Sequence, residues 1–152
     1  MNKATDVNVL IFSHVHGHAQ TMRMALRGMG VRVTFMATNI NQVLEGFSVA
    51  EPQVAVIYVD SGAETDPGLQ MLNFIRRSPQ SPDRKIPVVV VSQARDMVTI
   101  QAVGNAGAHE YVLYPVAGDA LLKKIQAAKT STRAFIDTPD YVGPERPPAK
   151  KT

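Results

Sequence analysis

Residues 54–60 have the sequence VAVIYVD, an apolar run that ends abruptly at Asp60. The run is apolar on both of its alternating faces, which is typical of a strand at the centre of a sheet covered on both sides. Residues 87–91, PVVVV, are the most strongly strand-like run in the chain. Together the two runs predict a parallel sheet with helices packed on both of its faces.

Three more short apolar runs predict strands, and five segments with apolar residues at helical spacing predict helices. The strands are expected at residues 7–12, 31–36, 54–59, 87–91 and 110–113, and the helices at 18–28, 39–49, 68–77, 94–105 and 118–130. Strict alternation of strand and helix favours an α/β fold with right-handed crossovers, in which helices are wound on both faces of one five-stranded parallel sheet.

Length and composition limit the classes of protein that need to be considered. The chain has 152 residues, which allows one domain and a tail, and 45% of them are hydrophobic, which is enough for a buried core. No apolar run approaches the ~20 residues of a membrane-spanning helix and the first residues are polar, so we expect a cytoplasmic protein without a membrane segment. The absence of cysteine excludes disulfides, thiol catalysis and cysteine zinc sites.

The last part of the chain differs from the rest. From residue 131 onward the apolar periodicity is lost and prolines become frequent, and residues 123–152 hold seven Lys or Arg against three Asp or Glu. We therefore divide the chain into a domain at 1–130 and a Pro-rich, basic tail at 131–152 that is expected to be flexible. The acidic residues dilute the basic ones, so binding of the tail to nucleic acid or to acidic lipid is ranked low. Four apolar residues leave open a docking of the tail on the domain or on a partner: Phe135, Ile136, Tyr141 and Val142.

Polar residues that directly follow the strands are the candidates for chemistry, because ligands of a doubly wound sheet bind where its strands end. Asp60 follows the central strand. The other strand ends carry Ser13, His14, Ser92, Gln93, Tyr114 and Pro115. No phosphate-binding glycine loop, dinucleotide fingerprint or serine nucleophile elbow is present in the sequence, so we do not expect an enzyme.

Four segments together resemble the receiver domain of bacterial response regulators, the CheY-like family, over residues 7–130. They are VLIFSH at 9–14, VAVIYVDSGAETDPGLQML at 54–72, PVVVVSQA at 87–94 and GAHEYVLYP at 107–115. The resemblance implies a flavodoxin-like sheet with the strand order 2-1-3-4-5, and it makes Asp60 the position of the phosphoacceptor. It also implies that Ser92 corresponds to the Thr or Ser that ends the fourth strand. Tyr111 corresponds to an aromatic residue that moves between buried and exposed positions in the family.

The chain departs from the family where the family binds Mg²⁺ and neutralises phosphate. Ser13 and His14 replace an acidic pair, and Tyr114 replaces a Lys. Mg²⁺ is a hard cation that requires several oxygen ligands, and Asp60, even with the carbonyl of Gly62, supplies few. We therefore expect weak binding of Mg²⁺, no other cofactor, and poor or absent phosphorylation of Asp60.

These departures favour an atypical single-domain receiver that acts by protein–protein contacts in two-component signalling. Its partner would be a histidine kinase or a downstream protein, or a second copy bound through the fourth helix, fifth strand and fifth helix. The first alternative is a working phosphorelay receiver that is phosphorylated on Asp60 by a histidine kinase. Side chains that could present charge or polarity on the interaction surface are Arg95, Asp96, Gln101, Lys123 and Lys124.

The histidines at positions 14, 16 and 18 supply the second alternative. His14 and Asp60 are expected at adjacent strand ends, where an imidazole and a carboxylate can hold Zn²⁺, Ni²⁺ or Cu²⁺ in a metal-responsive binding module. The other two histidines are expected in the loop and at the start of the first helix. Structural roles also stay open: Asp60 and Ser92 can satisfy backbone groups at strand ends, and Tyr111 can be an ordinary half-buried strand residue.

Overall fold

The computed structural model describes residues 3–146. Its strands are β1 (Asn8–Phe12), β2 (Val33–Ala37), β3 (Val54–Tyr58), β4 (Val88–Ser92) and β5 (Glu110–Leu113). They form one parallel sheet with the order β2-β1-β3-β4-β5, as the family resemblance implied. Every residue of β3 and β4 is buried, which explains why both strands are apolar on their two faces.

Five helices follow the strands: α1 (His16–Gly28), α2 (Ile40–Ala50), α3 (Pro67–Arg77), α4 (Met97–Asn105) and α5 (Gly118–Lys129). Their buried side chains fall into two clusters, one on each face of the sheet. Met22 of α1 and Ile125 of α5 belong to the first cluster, and Leu72 of α3 and Val103 of α4 belong to the second. This two-sided core confirms the predicted doubly wound α/β fold. No helix within residues 3–146 combines the length and the apolar character needed to cross a membrane.

Helix α4 begins three residues later than the apolar spacing predicted. Its N-cap is Asp96, whose carboxylate accepts a hydrogen bond from the backbone N–H of Thr99 (2.9 Å) and another from the Thr99 hydroxyl (2.9 Å). These bonds from Thr99 hold the pKa of Asp96 below its usual value. Because the cap satisfies an amide that the first turn leaves unpaired, the helix starts directly after Asp96.

The prediction of a flexible tail is wrong for residues 131–146. Two short strands, β6 (Phe135–Asp137) and β7 (Val142–Pro144), form an antiparallel hairpin, and all three residues of β7 are buried. The apolar side chains in this segment explain the difference, because they find a surface of the domain on which to pack. The rest of the predicted tail, residues 147–152, lies outside the described residues.

The hairpin docks at the edge of the sheet where the strands begin, opposite the strand ends that carry Asp60. Arg77, the last residue of α3, donates a hydrogen bond to the carbonyl of Pro139 (3.4 Å). Arg84, shortly before β4, pairs with Asp137 at 3.1 Å. The hairpin therefore contacts the connection that leads from α3 into β4.

Beneath the hairpin lies Arg76, whose side chain is fully buried. Its guanidinium donates hydrogen bonds to three backbone carbonyls, those of Gly107 (2.9 Å), Arg84 (2.7 Å) and Ile86 (2.8 Å). The ring of Phe135 covers it, with the ring centroid 5.3 Å from the guanidinium carbon. Burial lowers the pKa of Arg76 to about 10, so the group remains charged at neutral pH.

His109 completes this cluster and is neutral in the folded protein. Its Nδ1 accepts a hydrogen bond from the backbone N–H of Val88 (3.2 Å) and lies 3.3 Å from Nη2 of Arg76, which assigns the ring proton to Nε2. Burial, followed by the positive charges of Arg76 and Arg133, lowers the pKa of His109 to about 4. The neutral ring therefore acts as one more acceptor for a buried cation.

Candidate functional site

Two ionisable side chains meet at the carboxyl ends of β1 and β3. The strands are neighbours, with Phe12 beside Ile57, so the residues that follow them come together. Nε2 of His14 lies 3.2 Å from Oδ2 of Asp60, and the two side chains are 33% and 49% exposed. The structure thus brings His14 and Asp60 into direct contact at the edge of the sheet.

The two serines of the predicted pocket are fully buried and bonded to the backbone. Oγ of Ser13 accepts a hydrogen bond from the N–H of Val15 (3.1 Å), and Oγ of Ser92 accepts one from the N–H of Ala94 (3.1 Å). Each hydroxyl stabilises the turn that follows its strand. Ser92 thus satisfies a backbone group at its strand end, and a contact of its hydroxyl with a phosphoryl group stays a prediction.

Asp66, which sequence reasoning missed, organises the loop after β3. Its Oδ1 accepts hydrogen bonds from the backbone N–H groups of Asp60 (2.9 Å) and Ser61 (3.1 Å), and its Oδ2 caps α3 through the N–H of Leu69 (3.0 Å). The side chain is almost completely buried, so these amides are its principal partners. A signal was present in the sequence, because Asp followed by Pro67 before an apolar-periodic segment is a typical helix start.

Three aromatic rings pack together next to Asp60. The ring centroid of His18 lies 4.1 Å from that of Tyr58 and 4.9 Å from that of Tyr114, and the two tyrosines meet edge to face at 5.5 Å. Burial, followed by the negative charge of Asp60, raises the pKa of Tyr58 to about 12, so this phenol stays protonated. Tyr114, the position at which the resemblance implies a Lys, carries an aromatic ring that packs against the core.

Gly62 is bonded to the start of α4 and so fixes the loop after Asp60 against that helix. Its backbone N–H donates a hydrogen bond to Oγ1 of Thr99 (3.1 Å). A Cβ added at Gly62 would lie 3.1 Å from both Cα of Thr99 and the carbonyl oxygen of Val98, so the two backbones are in close contact. The structure gives Gly62 this packing role; a role of its carbonyl in metal binding stays a prediction.

Tyr111 is half-buried on β5, and its ring packs against the cluster on the α2–α4 face of the sheet. Its hydroxyl donates a hydrogen bond to the carbonyl of Ala94 at 2.5 Å. That bond fixes the ring over the loop between β4 and α4. Movement of Tyr111 between two positions stays a prediction.

The donor set at the site does not fit Mg²⁺. The described residues, 3–146, contain no group of three or more His, Cys, Asp or Glu side chains placed to hold a metal ion. Mg²⁺ takes an octahedral shell of oxygen atoms, of which water supplies a part, whereas this site offers it one carboxylate that is paired with an imidazole nitrogen. The arrangement suits a hydrogen bond from the imidazole of His14 to the carboxylate of Asp60.

Comparison with known proteins agrees with this fold. Residues 9–126 match the family model described as the response regulator receiver domain. A response regulator from Thermotoga maritima has 24% sequence identity, with 82% of this chain and 98% of the other covered, and a TM-score of 0.63. A receiver domain from Bermanella marisrubri has 19% identity, 80% and 96% coverage and a TM-score of 0.62. A CheY-like receiver domain protein from Methanospirillum hungatei has 18% identity, 81% and 93% coverage and a TM-score of 0.62.

None of the curated proteins compared with the chain matches it. The solved structures, at these levels of identity, support the fold alone. The family model is a stronger argument, because it covers most of the chain and includes the strand ends that carry His14, Asp60 and Tyr114. On that match, the chain belongs to the response regulator receiver domain family, the signalling modules of two-component systems.

Proposed function

We propose that this chain is an atypical receiver that acts through protein contacts, with Asp60 phosphorylated poorly or not at all. The observation that best supports this proposal is the contact between Asp60 and His14. His14 occupies a position where the family has a carboxylate. Tyr114 adds to it, because the family has a Lys there. The change at His14 removes oxygen ligands for a metal ion. The change at Tyr114 removes a fixed positive charge that would neutralise a phosphoryl group.

Charge neutralisation is the reason why these changes matter. A phosphoryl group in transfer spreads negative charge over three oxygens, and proteins catalyse the transfer mainly by balancing that charge. The basic group in contact with Asp60 is His14, whose imidazole carries a charge only when it is protonated. Tyr114 can donate a hydrogen bond but carries no positive charge. We therefore expect phosphoryl transfer to Asp60 to be slow.

Incubation of the protein with acetyl phosphate and Mg²⁺ is expected to leave its mass unchanged, because neither the metal nor the transferred group finds its usual partners. Intact-protein mass spectrometry measures this directly. A gain of one phosphoryl group that Asp60→Ala abolishes would overturn the proposal. It would establish the alternative, a working phosphorelay receiver.

The double variant His14→Asp, Tyr114→Lys is the matched positive control. It restores one carboxylate and one ammonium group at two partly exposed positions, whereas Ser13 is left unchanged because it is fully buried. We expect this variant to gain a phosphoryl group, and to lose that gain when Asp60→Ala is added. If the double variant also stays unphosphorylated, the changes at these two positions alone do not explain the deficiency.

The face formed by α4, β5 and α5 is the proposed surface for output. Lys124 of α5 pairs with Glu110 of β5 at 3.5 Å, and Asp96 is held as the cap of α4. Two kinds of side chain are exposed on this face. The charged or polar ones are Arg95, Gln101 and Lys123, and the apolar ones are Met97, Val98 and Leu113. A mixed surface of this kind suits a protein partner better than a nucleic acid.

We propose a histidine kinase or a downstream signalling protein as the partner, in the cytoplasm. A homodimer through the same face is the second arrangement. No catalytic activity is proposed. We do not propose binding to nucleic acid or to a membrane.

A metal-responsive module is the second candidate function, favoured by the 3.2 Å distance between His14 and Asp60. Two protein ligands would leave the other coordination positions to water, so binding should be weak and should follow the preference of imidazole for Zn²⁺ or Ni²⁺. Calorimetry with either ion should then show heat that His14→Ala removes and that His16→Ala retains. Without a His14-dependent signal this candidate fails.

A further inference from the structure

The hairpin at residues 131–146 holds the short connection between α4 and β5, residues 106–109. The side chain of Arg146 is hydrogen-bonded to that of Asn105, the last residue of α4. On the other side, Nη2 of Arg133 donates to the carbonyl of His109 at 2.8 Å, just before β5 begins. Both ends of the connection are therefore bound by residues that flank the hairpin strands.

The middle of the connection is held by backbone packing. Gly107 has φ +102°, a left-handed conformation that favours glycine, and a Cβ added there would lie 2.3 Å from the carbonyl oxygen of Val142. Conversely, a Cβ added at Gly143 would lie 2.6 Å from Cα of Gly107. The two chains approach so closely that neither glycine can carry a side chain while the hairpin stays docked.

The hairpin is itself fixed to a separate part of the domain. Phe135 lies over Arg76 at the end of α3, and Asp137 pairs with Arg84 before β4. Val142 is 3% exposed, so the hairpin also contributes to the buried apolar surface. The hairpin thus joins α3 and the start of β4 to the connection between α4 and β5.

Helix α4 depends on such contacts because little of it is buried. Of its nine residues only Thr99 and Val103 are buried, whereas α3 buries six of eleven. Its first turn is bonded to the loop after Asp60 through Thr99 and Gly62, and its last residue is bonded to the hairpin. A helix with a small apolar anchor is placed largely by what holds its two ends.

We propose that the hairpin is an intramolecular clamp that fixes the position of α4 and β5 relative to the sheet. When the hairpin is docked, the α4–β5 connection cannot shift, because Gly107 is enclosed between Val142 and Arg76. When it is released, α4 loses the restraint at its carboxyl end. The consequence for signalling, that docking sets the conformation of the output face, rests on the proposed function above.

Hydrogen exchange of the full chain, followed by mass spectrometry, tests the clamp. In Gly143→Ala the added methyl group collides with Gly107 and with the hydroxyl of Tyr141, so the hairpin is displaced and peptides from residues 97–113 are expected to exchange at least about tenfold faster than in the wild type. Peptides from β1 and β3 should keep their rates. Gly28→Ala is the matched control, because its methyl group meets no atom within 4 Å, and it should accelerate none of these rates. Faster exchange in 131–146 with unchanged exchange in 97–113 would overturn the proposal.

A second variant covers the case in which Gly143→Ala loosens the whole domain. Arg133→Ala, Arg146→Ala removes the two side-chain bonds to the ends of the connection without adding an atom. Residues 97–113 should again exchange faster than in the wild type, by a smaller factor, and unchanged rates would overturn the clamp. The measurement requires neither phosphate nor partner. Its failure therefore leaves the proposed function standing, whereas phosphorylation of wild-type Asp60 would remove that function and leave the clamp.

Discussion

Gly68→Ala is expected to lower the free energy of unfolding by about 3 kcal/mol, the upper end of the usual cost of overpacking. Gly68 is the second residue of α3, and a Cβ at this position would lie 1.9 Å from the carbonyl oxygen of Tyr58. That oxygen belongs to the last residue of β3 and cannot rotate away as a side chain could. The helix must therefore move off the strand, and Asp66, which caps the helix and holds the amide of Asp60, must move with it.

Urea unfolding followed by circular dichroism measures this effect, and Gly28→Ala is a suitable control. Gly28 ends α1 and has open space around it, so alanine should change stability by at most about 1 kcal/mol, in the stabilising direction. A loss at Gly68 that is no larger than the change at Gly28 would show that α3 tolerates displacement from β3. The close contact between Gly68 and the carbonyl oxygen of Tyr58 would then have no effect on stability.

Arg76→Met is expected to lower the free energy of unfolding by about 3 kcal/mol or more. Methionine keeps much of the aliphatic packing but removes the donors to the carbonyls of Gly107, Arg84 and Ile86. A buried acceptor left unpaired costs about 1–3 kcal/mol, and hydrogen bonds to a charged group are stronger than average. The opposing term is the desolvation of the guanidinium, which the substitution relieves. Since several acceptors lose their partner at once, we expect the loss to exceed the relief.

Arg77→Met provides the comparison, because the neighbouring arginine is exposed and its hydrogen bond to Pro139 is long, at 3.4 Å. Its effect should stay within about 0.5 kcal/mol, as for other surface substitutions. Chemical denaturation of both variants at the same pH separates the two cases. An Arg76→Met protein as stable as the wild type would mean that desolvation of the buried cation cancels all of its hydrogen bonds.

The sheet and its helices could be predicted because they depend on local patterns. The runs at β3 and β4 are apolar on both faces, and each lies where the sequence predicted it to within one residue. The later start of α4 is set by a single side chain. Helix α4 starts at Met97 because Asp96 caps it, and the predicted first turn is instead bonded to Tyr111 through the carbonyl of Ala94.

The hairpin could not be predicted, because the surface on which it docks is made by residues distant in sequence. Burial of Phe135 and Val142 depends on Arg76 and Gly107. Helical spacing puts Arg76, but not Arg77, on the same face as Leu69 and Leu72. Arginine is seldom fully buried, so this spacing alone does not predict the burial of Arg76. Two strands of three residues, with Pro139 between them and Pro144 at the end of the second, also give too short a pattern to be recognised as strands.

The candidate site was accessible from the sequence only in part. Strand ends in a parallel sheet meet at one edge, and this was enough to place His14 beside Asp60. The packing of His18 on Tyr58 and Tyr114 depends on how a helix lies on the sheet, and strand order alone does not determine it. The bonds of Asp66 to the amides of Asp60 and Ser61 depend on loop geometry in the same way.

The position of the hairpin also decides how the protein can be handled. Arg146 is next to Asn105, at the edge where the strands begin, and Asp60 is at the edge where they end, a separation of about 15 Å or more for strands of this length. A fluorophore or a solid support coupled beside Arg146 would therefore leave the Asp60 edge unobstructed. A partner in solution could therefore reach that edge on the immobilised protein.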